Sequence, residues 1–275
     1  MRLVRMRKLF LIFDIETTKY LGTPSRIDSA LNIVQRLPGK YEPTRCNGPD
    51  FSTAMFRWQN RETFLRMIPG GNPFQGSARI YKTRSIFEFG ITWAKGTRDW
   101  FADHPAMRFN SLGLQFRDGE AIVRSPDLLD PLVDIWLDLC AQVEATHGYV
   151  YLDSCTGYEP RGEGYCLPRL HWLTFFGREY VELLHLRQKH HIDGADVRRA
   201  GSGVMLRIQD NPARLVKPSP VEWAIIEQLE RRAFWGHEAD DWRAPTKSYL
   251  QPEFDWTEIL TDKTAWRGDV PVSLK

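Results

Sequence analysis

The sequence predicts an α+β fold, an antiparallel β-sheet with helices packed mainly on one side. Three observations predict it. Several short runs alternate apolar and polar residues with the period of a strand, the strand-like runs come mostly before the strong helical stripes, and Gly or Asp-Gly turns separate neighbouring runs. With 275 residues, 42% of them apolar and 26% charged, the chain has enough apolar surface to fill a core of its own.

LFLIFDI (9–15) is a short apolar run with aromatic and β-branched members, bounded by charges, and reads as a buried strand. RIDSALNIVQRL (26–37) predicts a short helix ended by Pro38 and Gly39. Residues 38–80 are rich in Pro, Gly and Asn around one possible helix at NRETFLRMI, and are expected to form an irregular insertion able to carry binding loops. SIFEFGITW places Phe87, Phe89, Ile91 and Trp93 on one face by strict alternation, and RFNSLGLQF and EAIVR continue a meander of strands.

The clearest helix follows. Ser125 or Asp130 can cap it, Pro126 or Pro131 can take its first position, and Leu128, Leu129, Leu132, Val133, Trp136, Leu139, Cys140 and Val143 form its apolar stripe up to a stop at Gly148. Beyond it come a strand at YVYLD, a Gly-rich loop, a run LHWLTFF, a helix at GREYVELLHLR and a strand at GVMLRIQ. SPVEWAIIEQLERRAF predicts the last helix, with Ser219 and Glu222 at capping-box spacing and Pro220 in the first turn. Residues 235–275 are acidic and aperiodic, yet Trp242, Tyr249, Phe254, Trp256 and Trp266 are too many large rings for a solvated tail, so this tail is expected to pack on the body. No linker or repeat divides the chain, which predicts one domain over residues 1–275.

No window reaches the roughly 18 apolar residues of a membrane span, and no A-x-A-like cleavage site follows the apolar start, so a cytoplasmic location is expected. Cys46, Cys140, Cys155 and Cys166 contain no CxxC pair and read as reduced thiols. The net charge of +2 hides an uneven distribution: residues 1–125 carry 20 basic against 11 acidic groups, and residues 126–275 carry 17 against 24. That allows a basic face from one part and an acidic face from the other.

In FDIETT, Asp14 and Glu16 at the end of an apolar strand resemble the first motif of DEDD-type 3'-5' exonucleases, whose carboxylates hold two divalent metals about 4 Å apart. His191 and Asp196 have the spacing of that family's third motif, but no segment between presents the middle metal-binding Asp. Alternation equally allows Asp14 and Glu16 to be solvent-facing positions, with Phe13 and Ile15 pointing inward. His147, His171, His185, His190 and His191 have no HExxH spacing, and no nucleophile elbow, phosphate loop or dinucleotide fingerprint is present. MFRWQNRETFLRMI interleaves Arg with aromatics as single-strand nucleic-acid binders do, and as amphipathic helices with Arg stems over a core also do.

The segment GYVYLDSCTGYEPRGEGYCLPRLHWLTFFGREYVELL joins a strand with an acidic end, a Gly-containing loop and a P-x-L-x-W-L-T-aromatic run. It resembles bacterial polymorphic-toxin immunity proteins, and most of all immunity protein family 52. The order of GVMLRIQDNPA, the Pro-capped helix and the aromatic tail is similar to the C-terminal half of that family, and the resemblance spans residues 81–256. It implies a cytoplasmic antidote of a secreted effector, often from a type VI system. The implied partner is a restriction-endonuclease-like DNase toxin, bound without cofactor, metal or turnover; no direct nucleic acid, membrane or small-molecule substrate is implied. A DNase presents a basic cleft, so carboxylates and aromatic anchors are the expected inhibitor groups. The candidates are Asp153, Tyr158, Glu159 and Glu163 in the Gly-rich loop, and Glu238, Asp240, Asp241 and Trp242 after the last helix.

Overall fold

Alternation builds the sheet. The computed structural model describes residues 9–47, 55–68, 75–82, 86–103, 108–153, 167, 170–208, 220–234 and 250–262. The first elements are β1 (Phe10–Thr17), α1 (Pro24–Val34), β2 (Arg45–Asn47), β3 (Met55–Arg57), α2 (Arg61–Met67) and β4 (Gln75–Tyr81). Then come β5 (Phe87–Ala94), α3 (Arg98–Asp103), β6 (Asn110–Phe116), α4 (Gly119–Val123), α5 (Pro126–Gln142) and β7 (His147–Asp153). The last are β8 (Leu173–Phe176), α6 (Arg178–Leu183), β9 (Ala195–Ala200), β10 (Gly203–Ile208) and α7 (Pro220–Leu229). The strands form one ten-stranded sheet in the order β3-β2-β4-β5-β6-β1-β7-β8-β10-β9, with every neighbouring pair antiparallel. The fold is α+β.

In β1, β5 and β6 every second residue is buried, so Phe13, Ile15, Phe89, Ile91, Leu112 and Leu114 fall on one face. That face packs against Ile27, Leu31 and Val34 of α1 and Leu132, Trp136 and Leu139 of α5. Trp136 sits at the centre: its ring lies 6.1 Å from Phe13 and 6.3 Å from Phe175, and its indole N–H donates to the Asp14 carbonyl at 3.3 Å. Gly148 permits this approach, because a Cβ there would lie 3.0 Å from the Trp136 ring. The opposite face is buried only toward one end, where Phe176, Leu206 and Ile208 pack with Tyr180 of α6, Ile225 of α7 and the rings of Phe254 and Trp256. Four helices (α1, α2, α4, α5) therefore line the first face, while α6 and α7 give the second a partial layer.

Several local expectations are corrected. Residues 38–80 contain β2, β3, α2 and β4, which extend the sheet at its edge; Cys46, Ala78 and Ile80 supply the buried face, and the intervening polar turns hide their short period. EAIVR is not a strand: Ile122 N–H bonds the Asp118 carbonyl and Arg124 N–H the Glu120 carbonyl, giving the one-turn helix α4. α5 ends at Gln142, well before Gly148, because Glu144 turns into the left-handed region with φ 48° and Gly148 already belongs to β7. β9, ADVRRA, is an edge strand with one buried residue, so its polar sequence carries no strand signal. Glu222 is fully buried and accepts from the Leu170 N–H at 3.2 Å, so its carboxylate ties α7 to the segment before β8.

Residues 250–262 lie against the body as a strap. Leu250 N–H bonds the Arg232 carbonyl, Gly96 N–H the Ile259 carbonyl, and Thr261 N–H the Gly96 carbonyl. Glu258 joins the strap to the start of α1: it pairs with Arg26, accepts from Tyr20 N–H at 3.2 Å and lies 3.4 Å from Lys19. Among the described residues no helix is long and apolar enough to cross a membrane.

Candidate functional site

The part of the second sheet face that no described helix covers spans β4, β5, β6, β1 and β7, and its residues alternate with the core positions along each strand. Register aligns them in a row across five strands: Arg79 pairs Gly90, Gly90 pairs Gly113, Gly113 pairs Asp14, and Asp14 pairs Tyr149. The two glycines make the centre of this row a trough. A depression of about 270 Å³ lies here, lined among others by Asp14, Arg79, Glu88, Gly90, Gly113 and Gln115. A Cβ added at Gly90 would meet nothing within 4 Å, and one at Gly113 would come within 3.0 Å of the Asp14 carboxylate. Asp14 therefore leans over the floor at one end. At the other end Arg79 is held by Glu88 at 3.5 Å.

Beyond Asp14 the row meets an aromatic ladder. The rings of Tyr149 and His171 stack at 4.6 Å and 22°, Tyr149 and Tyr151 at 5.7 Å and 29°, and the Tyr151 hydroxyl lies 3.4 Å from the Asp14 carboxylate. These rings are half-buried. Two positions along β1, Glu16 lies 3.8 Å from Nδ1 of the buried His147. Burial pushes the His147 imidazole down to about 3, so at neutral pH it is uncharged and the contact is that of a carboxylate with a neutral ring. Among its described residues the face carries the carboxylates of Asp14, Glu16 and Glu88 together with the guanidiniums of Arg79 and of Arg117, which lies 5.6 Å from the Phe10 ring.

A second cavity, of about 570 Å³, lies beside the strap and is lined by Tyr20, Arg26, Lys95 and Glu258 among others. Its charges are committed to the fold: Arg26 and Glu258 pair, the guanidinium holds that carboxyl below its usual range, and the Lys95 ammonium lies over the Tyr20 ring at 5.6 Å.

Of the residues singled out from the sequence, Asp14 and Glu16 lie together on the polar face of β1 while Phe13 and Ile15 are buried opposite. His191 and Asp196 are elsewhere. His191 is exposed and pairs with Asp193 at 2.8 Å, and Asp196 lies on the edge strand β9, four strand spacings or about 19 Å from β1. The four exonuclease positions do not converge, and no group of three or more His, Cys, Asp or Glu able to hold a metal occurs among the described residues. Asp153 is the last residue of β7, opposite Phe10. Tyr158, Glu159, Glu163, Glu238, Asp240, Asp241 and Trp242 lie outside the described residues. Cys46 and Cys140 are buried, which raises both thiols, that of Cys46 to about 11. What sequence reasoning missed is the trough itself; its signal was a glycine in mid-strand in each of two neighbouring alternating runs, Gly90 and Gly113.

No family model matches the chain, immunity protein family 52 included, and no curated protein matches it. Its fold is similar to that of the Pseudomonas aeruginosa T6SS protein PA0821, with a TM-score of 0.52 over 80% of this chain and 72% of that one. At 15% identity, the likeness is one of fold.

Proposed function

We propose that this chain is an immunity protein associated with type VI secretion, which binds and neutralises a secreted antibacterial nuclease toxin and so protects the producing cell and its kin. The observation that carries the reading is the shared fold with a T6SS protein, extending over most of both chains. The resemblance of residues 148–184 to immunity proteins points the same way. In this reading the partner is a restriction-endonuclease-like effector, the action is stoichiometric binding in the cytoplasm, and no cofactor or turnover is needed. A rigid sheet backed by helices on one side is a suitable platform for such binding, because its surface side chains lose little freedom on association. The exonuclease alternative is not carried forward, since Asp14 and Glu16 stand about 19 Å from Asp196 across the sheet.

The test is to co-express the full chain with the product of the neighbouring gene, purify any complex, and assay that product's DNA degradation with and without this chain. A stable complex that silences a nuclease supports the reading. A neighbour that degrades DNA equally in the presence of an excess of this chain sinks it.

A further inference from the structure

We propose that Arg45 and Arg57 form a seat for a dianionic phosphate group, that of inorganic phosphate or of a phosphate monoester. The inference is independent of the toxin-binding reading. Register places the two arginines directly opposite each other on β2 and β3. Trp58 N–H donates to the Thr44 carbonyl at 3.0 Å, which makes that adjacent pair a hydrogen-bonded one. Arg45 and Arg57 are therefore a non-hydrogen-bonded pair, the class whose Cα atoms come closest, to about 4.5 Å. Cys46 is buried in the helix-covered core, so alternation turns its neighbours Arg45 and Asn47, and Arg57 with them, to the opposite face. Both arginines are exposed there.

Like charges directly opposite each other on a sheet are destabilising. Among the described residues nothing offsets this pair: neither guanidinium has an ion pair or a hydrogen bond. Glu88 is the one carboxylate that β2, β3, β4 and β5 place on this face, and it lies two strands from Arg45, engaged by Arg79 at 3.5 Å. Asp14 is four strand spacings away, about 19 Å. A guanidinium keeps its charge across the physiological range, so a bound anion, and not proton loss, relieves the pair. The donors select phosphate. Two planar forks each offer a bidentate edge, and the Tyr81 hydroxyl, donating to Asn47 Oδ1 at 2.9 Å, leaves the Asn47 NH2 as a further donor on the same face. A phosphate monoester has three acceptor oxygens and nearly two negative charges at neutral pH, matching two guanidiniums, whereas a carboxylate brings two oxygens and one charge. Base stacking has no part in the site. Trp58 packs partly against the core and Arg61 is held by Gln35 and Asn32, so the interleaved segment MFRWQNRETFLRMI contributes Arg57 to this face without the ring of Trp58.

The experiment titrates the full chain with inorganic phosphate at neutral pH and follows the arginine Nε–H resonances by NMR, against sodium chloride at matched ionic strength. The Arg45 and Arg57 resonances are expected to move together and saturate with phosphate, and not with chloride. Arg45→Gln and Arg57→Gln should each weaken binding about tenfold or more, as loss of a charged hydrogen bond does. Arg124→Gln, at an arginine with a 78% exposed side chain, should leave it within twofold. Lowering the pH to about 5.5 protonates most of the phosphate and should weaken its binding, while sulfate, dianionic at both pH values, keeps its affinity. A short oligothymidylate with and without a terminal phosphate separates the sources. Tighter binding of the phosphorylated form supports the monoester seat; equal binding of both assigns the pair to a phosphodiester backbone and overturns the dianionic occupant. Shifts that do not saturate, or that both Gln variants leave unchanged, overturn the site.

Discussion

Between pH 8 and pH 5 the unfolded chain takes up a proton at His147 that the folded state does not, so stability should fall as the pH is lowered. The His147 side chain is 2% exposed, and burial takes its imidazole from an ordinary value of 6.5 to about 3. The folded state therefore binds fewer protons than the unfolded state between these two values. The stabilising contribution is complete above about 6.5 and is lost as pH falls toward 3, by about 1.4 kcal/mol per pH unit in between. At pH 5 the loss relative to pH 8 is about 2 kcal/mol, a substantial part of a typical domain's stability. Glu230 and Glu258 are held below their ordinary value of 4.5 by Arg232 and Arg26, so the contributions of these two carboxylates are lost only at lower pH. Urea unfolding followed by tryptophan fluorescence, at pH 8 and pH 5, measures the difference. His147→Gln, which cannot take up the proton, should lose less than half as much between the two pH values. Equal losses in both proteins, or no loss in the wild type, would refute the assignment of the effect to His147.

Three further outcomes are expected. Trp136→Ala should destabilise the fold by about 3–5 kcal/mol in the same denaturation assay, since the ring is fully buried between α5 and the sheet. Glu222→Ala should cost about 1–3 kcal/mol, because it strips the buried Leu170 N–H of its acceptor; Glu222→Gln, which keeps an acceptor oxygen, should recover part of the loss. Replacing Glu238, Asp240 and Asp241 together by Lys should slow association with a basic toxin, more at low salt than at high, and unchanged rates would remove this segment from the interface.

Legibility followed the strength of the period. Phe87, Phe89, Ile91 and Trp93 announced β5, and the stripe from Leu128 to Val143 announced α5, because each combines a long repeat with a clear stop. Elements whose shape is set by their neighbours were not legible. β2 and β3 have three residues each, too few to show alternation, and become strands only because β4 offers a paired edge. EAIVR has strand-like composition, but Gly119 N–H is fixed by the Leu9 carbonyl and the chain turns into α4. The site divided in the same way. Asp14 and Glu16 were visible, and so was the alternation that turns them to the polar face, whereas their separation from Asp196 depends on strand order, which no local pattern encodes.

The strands also record where the second helical layer stops. β1, β5 and β6 bury alternate residues, whereas β8 buries all four of its residues and β10 all but one of its six, so the sheet changes from one buried face to two along its width. That change occurs at β7, where Tyr149 and Tyr151 remain half-buried while His147, beside Phe176, is fully enclosed. A parallel sheet would be covered throughout by its crossovers; an antiparallel one can leave a width of polar face open while the opposite face carries the core. The glycine trough lies inside that polar width and opposite the Trp136 core. Its floor is therefore backed by the Trp136 core, and the backbone that forms it is fixed by sheet pairing on both sides.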